Sequence, residues 1–133
     1  MLQNMHNQLT HQATHDELTG LVNRKEFERE LARVLGLAKR NKTSHLVVYI
    51  DLDQFKVINN SAGNQAGDKL LQEMAALLDA RMTGADVVLS RLGGNEFGVL
   101  IEGCERDAGV SVTKQLSDQI KRYRFDWKAR TTH

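Results

Sequence analysis

Asp51 and Asp53 stand at the end of an apolar run, Leu46 to Ile50. Residues i and i+2 of a strand share a face, so both carboxylates could project from one rim. Two hard oxygen ligands suit Mg2+, which one or two carboxylates commonly hold together with substrate phosphates. The plainer alternative is that one carboxylate caps the next turn and the other is solvated. Gly93-Gly94-Asn95-Glu96 reads as a hairpin turn. Its glycines tolerate positive φ and leave the backbone open to a phosphate or a ribose, although a turn needs no ligand. Asn59 and Asp68 flank the glycine-containing stretch Gly63 to Gly67. A carboxylate can accept from the N–H groups of guanine while an amide donates to its carbonyl, so the two could read a base. Asp68 could equally support a helix N-terminus. His11 and His15 lie four apart and could share a metal on a helix, but no third ligand accompanies them and the chain breaks after Ala13.

The elements that must position these groups follow from periodicity. Leu2, Met5, Leu9 and Ala13 make a narrow stripe, as at the end of a longer signalling helix, so residues 1–14 form a stalk and residues 15–133 the domain. Asn23 caps a helix, with Glu26 three residues on as in a capping box. Phe27, Leu31, Val34, Leu35 and Ala38 form its apolar face, and the helix ends near Lys39 and Arg40. The unalternating run Leu46 to Ile50 predicts a strand covered on both faces and central in its sheet. A second helix is expected from Ala66 to Arg81, closed by Gly84. Strands Asp86–Leu92 and Phe97–Glu102 flank the turn, and a third helix runs from Asp107 to Tyr123. The expected fold is α/β (α+β): a ferredoxin-like, palm-type β-α-β-β-α core with helices against a central sheet, lacking the strand that would close the unit.

Composition narrows the function. Eighteen Lys and Arg against 17 Asp and Glu leave a net charge of +1, which gives no basic field for nucleic acid. The longest apolar run is far short of the ~20 residues of a membrane span, and no leader pattern follows Met1. A single cysteine, Cys104, suits a reducing compartment, and the expectation is a cytoplasmic domain without membrane contact.

Four segments taken together are more specific than any one. Thr14 to Arg24, Ile50 to Asn59, Gly63 with Gly67 and Asp68, and Arg91 to Phe97 resemble, in order and spacing, the GGDEF family, the diguanylate cyclase domain that joins two GTP into cyclic di-GMP. The similarity runs from about residue 10 to residue 133. It implies a metal, Mg2+ or Mn2+, on Asp51, the Leu52 carbonyl and Glu96. It implies guanine recognition by Asn59 and Asp68, terminal phosphates along the backbone at Phe55 and Lys56, and Gly93 and Gly94 against the nucleotide. Phe97 matches an aromatic anchor of the hairpin, and Asp16 with Arg24 a salt-bridged joint between stalk and domain.

The sequence departs from that family at several places. Asn95 stands where active members carry Asp or Glu, and a neutral amide cannot accept a proton near pH 7. Loss of that acid could cost ~10³-fold or more in rate. Thr83 stands where an inhibitory product site would need Arg, so no such site is expected. Asn60, Ala62 and Asn64 replace commoner residues around the same pocket, and the family's domain continues beyond the position of His133, leaving Leu46 to Asp51 as an open edge. The resemblance therefore implies a degenerate domain that binds GTP or regulates a neighbour, such as an EAL phosphodiesterase domain, under an upstream sensor. An active cyclase and a structural dimerisation or relay module are the alternatives. Catalysis in the family takes two GTP-loaded domains, which implies a homodimer.

Overall fold

The computed structural model describes residues 13–82, 84 and 86–123. Most of the expected stalk, including His11, lies outside the described residues. The first helix that lies wholly within the described residues, α1 (Arg24–Asn41), starts where the sequence places its cap: the Asn23 side chain accepts from the Glu26 N–H at 3.0 Å. Glu26 does not complete a capping box. Its carboxylate pairs instead with Arg29 at 2.8 Å, one turn on. Lys42 ends the helix in the left-handed region at φ 53°. Of the expected apolar stripe, Phe27 and Val34 are buried while Leu35 is 55% exposed, so the stripe is narrower than its sequence.

Strand β1 (Leu46–Asp51) is followed by α2 (Gln54–Ala62), which the periodicity did not reveal, and by α3 (Asn64–Arg81). Gly63 alone separates the two helices, at φ 90°. Met82, rather than Gly84, terminates α3, its N–H donating to the Leu78 carbonyl at 2.8 Å. Strands β2 (Val87–Gly93) and β3 (Glu96–Ile101) form the hairpin, and α4 (Arg106–Arg122) ends the described fold.

The three strands are antiparallel in the order β1-β3-β2. The central strand is thus β3, and β1 lies at an edge among the described residues, correcting its expected place. The reason for the unalternating run is visible nonetheless. Ile50 and, in part, Val48 pack with Leu71, Met74, Leu78 and Leu116 from α3 and α4, whereas Val47 packs with Phe27, Val34 and Leu100 on the α1 side. Both faces of the sheet are covered, which takes the alternation out of the sequence. The result is the expected α+β class: a small antiparallel sheet between α1 on one side and α3 with α4 on the other.

Gly98 in the central strand has a packing role. A Cβ there would come within 2.9 Å of the Phe27 ring, so the glycine lets that ring lie against the sheet. Phe27 meets Tyr49 from β1 edge-on, with ring centroids 6.2 Å apart. This contact seats α1 across the strands whose ends carry Asp51 and Glu96.

Candidate functional site

The sequence-predicted residues divide between two places at one end of the molecule. The first is the rim where β1 ends beside the hairpin. Asp51 is the Cα partner of Glu96 in the β1–β3 ladder, and directly opposed residues of an antiparallel pair project side by side on one face. The ladder continues one step further, with the Leu52 N–H donating to the Asn95 carbonyl at 3.1 Å. Asn95 is thereby fixed over the end of β1. Its side-chain nitrogen donates to Asp51 Oδ1 at 2.6 Å and to the Leu52 carbonyl at 2.8 Å. Both partners are acceptors, so only the NH2 end of the amide can face them.

The strand ends at Asp51. Asp53 is already in helical backbone, φ −62° and ψ −33°, as the residue before α2. The i, i+2 argument that placed both carboxylates on one strand face therefore fails, because the chain has turned between them. Asp53 makes no side-chain capping bond to α2. At the start of that helix, where the resemblance puts terminal phosphates, the Phe55 N–H donates to the Leu52 carbonyl at 3.2 Å, and Lys56 is exposed.

The metal implied by the resemblance does not fit this arrangement. The Leu52 carbonyl has two lone pairs, and both are engaged, by Phe55 N–H and by the Asn95 amide. The same amide holds one oxygen of Asp51. Among the described residues, no three His, Cys, Asp or Glu side chains come together as a metal-holding group.

The second place is the α2–α3 corner. Asn59 is in the last turn of α2, and Asp68 lies just past the first turn of α3, exposed. Between them Gly67 is buried, and a methyl there would collide with the Asn59 carboxamide and approach Phe55 Cε1 to 3.1 Å. The missing side chain thus lets the Asn59 amide lie on α3 at Gly67, the residue that precedes Asp68 in the chain.

The hairpin connects to the rest through a residue that the sequence reading passed over. Arg91 in β2 donates from Nε and Nη2 to the Gly94 carbonyl, at 3.1 and 3.0 Å, and from Nη1 to Asp16 Oδ1 at 3.1 Å. The other oxygen of Asp16 accepts from the Thr19 N–H and hydroxyl at 2.9 and 2.8 Å. Asp16 is therefore the partner of Arg91, not of Arg24. Arg24 reaches the Leu92 carbonyl at 3.0 Å and pairs loosely with Glu28. The available signal was a cation two residues before the glycine pair, with an unassigned acid far upstream. Gly93 and Gly94 have φ of 141° and 50°, and open space lies where their Cβ atoms would be. The Gly94 carbonyl is taken by Arg91, while no neighbouring atom covers the Cβ side of either glycine.

The chain that carries this rim and corner matches a known domain family. The family model described as diguanylate cyclase, GGDEF domain, covers residues 13–133. The chain is 41% identical over 123 residues to Probable diguanylate cyclase DgcE of Escherichia coli, covering 92% of this chain and 11% of that protein. It is 40% identical over 115 residues to the cyclic di-GMP phosphodiesterase PdeB of Shewanella oneidensis, covering 85% of this chain and 13% of that protein. Among solved structures, the coiled coil and GGDEF domain of DgcB from Caulobacter crescentus, in complex with c-di-GMP, superposes with a TM-score of 0.77 at 29% identity, over 90% of this chain and 60% of that one. The chain spans under a quarter of the length of the first curated relatives it matches. With the strand ends, the two-glycine hairpin and the α2–α3 corner all in place, and the family model running over all but the first twelve residues, the chain belongs to the GGDEF domain family.

Proposed function

We propose that this chain is a degenerate GGDEF domain that binds guanine nucleotide and regulates a neighbouring domain in cyclic di-GMP signalling. The observation that carries this reading is Asn95. The position that would supply an acid holds an amide, and that amide is committed to Asp51 and the Leu52 carbonyl. A general base must be able to take the proton it abstracts. The amide cannot, so the attacking ribose hydroxyl has no base at this position.

The base-reading corner, by contrast, keeps its chemistry. Asn59 packs over Gly67, and Asp68, the residue after Gly67 in the chain, is exposed. Asp68 would accept from the N1–H and amine of guanine, and Asn59 would donate to its carbonyl or N7. Adenine has an acceptor at N1, no amine at C2 and a donor in place of the carbonyl, so the corner favours GTP over ATP. Gly93 and Gly94 would let the nucleotide lie against bare backbone, and Lys56 and the start of α2 would meet its phosphates. Cyclases of this family use divalent metal ions. Here a divalent ion would come only as part of the nucleotide's own phosphate complex, not as a resident of the rim. In this reading the domain works in the cytoplasm as a homodimer, passing nucleotide occupancy between an upstream sensor and a downstream EAL-type phosphodiesterase.

The test is incubation of the protein with Mg2+–GTP, chromatography for cyclic di-GMP, and thermal denaturation with GTP or ATP. The expected result is no product, with GTP raising the melting temperature more than ATP does. A ligand at a hundred times its Kd stabilises by about 2.7 kcal/mol. Asp68→Ala should abolish the GTP-specific part. Cyclic di-GMP above a no-protein control would restore the cyclase reading. Absence of both product and GTP stabilisation would leave a structural relay module.

A further inference from the structure

We infer that the Asn95 amide takes the place of a metal ion in this domain, so that the rim formed by Asp51, Leu52 and the hairpin is complete without any divalent cation. At the rim the chain brings together a carboxylate and a main-chain carbonyl, both lone-pair donors aimed at one point, with a second carboxylate, Glu96, directly across the ladder from Asp51. Like charges directly opposed in a ladder are destabilising, and beside that pair the Asp51 carboxylate and the Leu52 carbonyl converge on one donor. That donor is Nδ2 of Asn95, 2.6 Å from Asp51 Oδ1 and 2.8 Å from the Leu52 carbonyl. The two N–H bonds of one NH2 group point in different directions and can serve two acceptors at once. The amide is held there by its own backbone, whose carbonyl accepts from Leu52 N–H at 3.1 Å, so it is presented by the turn and does not swing in from solvent.

The carbonyl side of the site is saturated as well. Phe55 N–H takes the second lone pair of the Leu52 carbonyl at 3.2 Å, which ties the first turn of α2 to the same atom. A cation entering here would have to expel a donor that the fold positions and replace it with its own charge. Asn95→Asp would reverse the arrangement: a carboxylate would face Asp51 and the Leu52 carbonyl, three acceptors would converge, and a metal would become necessary. The inference concerns the nucleotide-free chain and stands whether or not the domain binds GTP.

The experiment compares the melting temperature of the wild-type chain and Asn95→Asp, without nucleotide, in EDTA and in Mn2+. Wild type should melt at the same temperature in both. Asn95→Asp should melt lower than wild type in EDTA and recover in Mn2+, and its Mn2+ affinity, counted by electron paramagnetic resonance of the free ion, should be at least tenfold higher. A wild-type melting temperature that rises with Mn2+ as much as the variant's would overturn the inference. So would an Asn95→Asp protein as stable as wild type in EDTA and indifferent to Mn2+. Should the variant not fold, paramagnetic broadening in wild type decides. The Asn95 side-chain amide and the Leu52 and Phe55 backbone signals should stay sharp at Mn2+ concentrations that broaden exposed carboxylate residues elsewhere, and selective loss of those three signals would refute the substitution of amide for metal.

Discussion

Asp16→Ala tests whether the hairpin is positioned from 75 residues away. Asp16 accepts three hydrogen bonds, two from Thr19 and one from Arg91, and the Asp16 and Arg91 side chains are only 19% and 18% exposed. A neutral hydrogen bond contributes about 1 kcal/mol and a charge-assisted one about 1.5–3. The simple sum overstates the loss. Thr19 can rehydrate, and Arg91 keeps both bonds to the Gly94 carbonyl. The expected cost is then about 2–3 kcal/mol, with a drop in melting temperature of about 6–15 °C for a domain of this size. Urea denaturation of wild type, Asp16→Ala, Arg91→Ala and the double variant gives the coupling between the two side chains, expected at about 1–2 kcal/mol. Arg24→Ala in the same cycle should show no coupling to Asp16, since Arg24 bonds the Leu92 carbonyl instead. If Asp16→Ala costs less than about 0.5 kcal/mol and the Asp16–Arg91 coupling is zero, the pair behaves as a surface ion pair and does not anchor the turn.

Two further substitutions probe the sheet behind the site. Gly98→Ala drives a methyl to within 2.9 Å of the buried Phe27 ring, and overpacking of that kind costs about 1–3 kcal/mol; equilibrium unfolding would read it, and an unchanged midpoint would mean that α1 shifts freely on the sheet. Ser90→Ala should do the opposite. Its hydroxyl is fully buried with no hydrogen-bond partner among the described residues, so its removal should stabilise by about 1 kcal/mol, and a fall in melting temperature would show the hydroxyl to be satisfied.

What the sequence disclosed was local. The Asn23 cap, the α1 stripe and the turn at Gly93 and Gly94 are each decided by residues within a few positions of one another. The misjudged features depend on partners far along the chain. A run such as Leu46 to Ile50 shows that two faces are covered, yet edge or centre is decided by which strands pair, and β3 takes the centre. Helix α2 went unseen because its short span was dominated by the polar residues of a motif, and only the turn at Gly63 separates it from α3. Asp53 was misplaced for the same reason, since strand geometry was carried past the point where the chain becomes helical. The resemblance implied a salt-bridged joint within the motif from Asp16 to Arg24, while the cation near Asp16 in space is Arg91.

Asn95 shows why residue types alone could not complete the site. Asn and Asp have nearly the same shape, so the substitution leaves the turn and the ladder beside it undisturbed, and a sequence reading registers only the loss of a charge and a base. In the structure the change also has a positive content. An acceptor has become a donor, and the two acceptors it faces, Asp51 and the Leu52 carbonyl, are satisfied by it directly. In the degenerate reading proposed above, loss of catalytic chemistry and retention of a well-formed rim have a single cause. A carboxylate at this position would need a cation to share the site with Asp51, whereas the amide satisfies Asp51 by itself. On that proposal the domain keeps the shape that a nucleotide or a neighbouring domain would recognise without the chemistry of that shape.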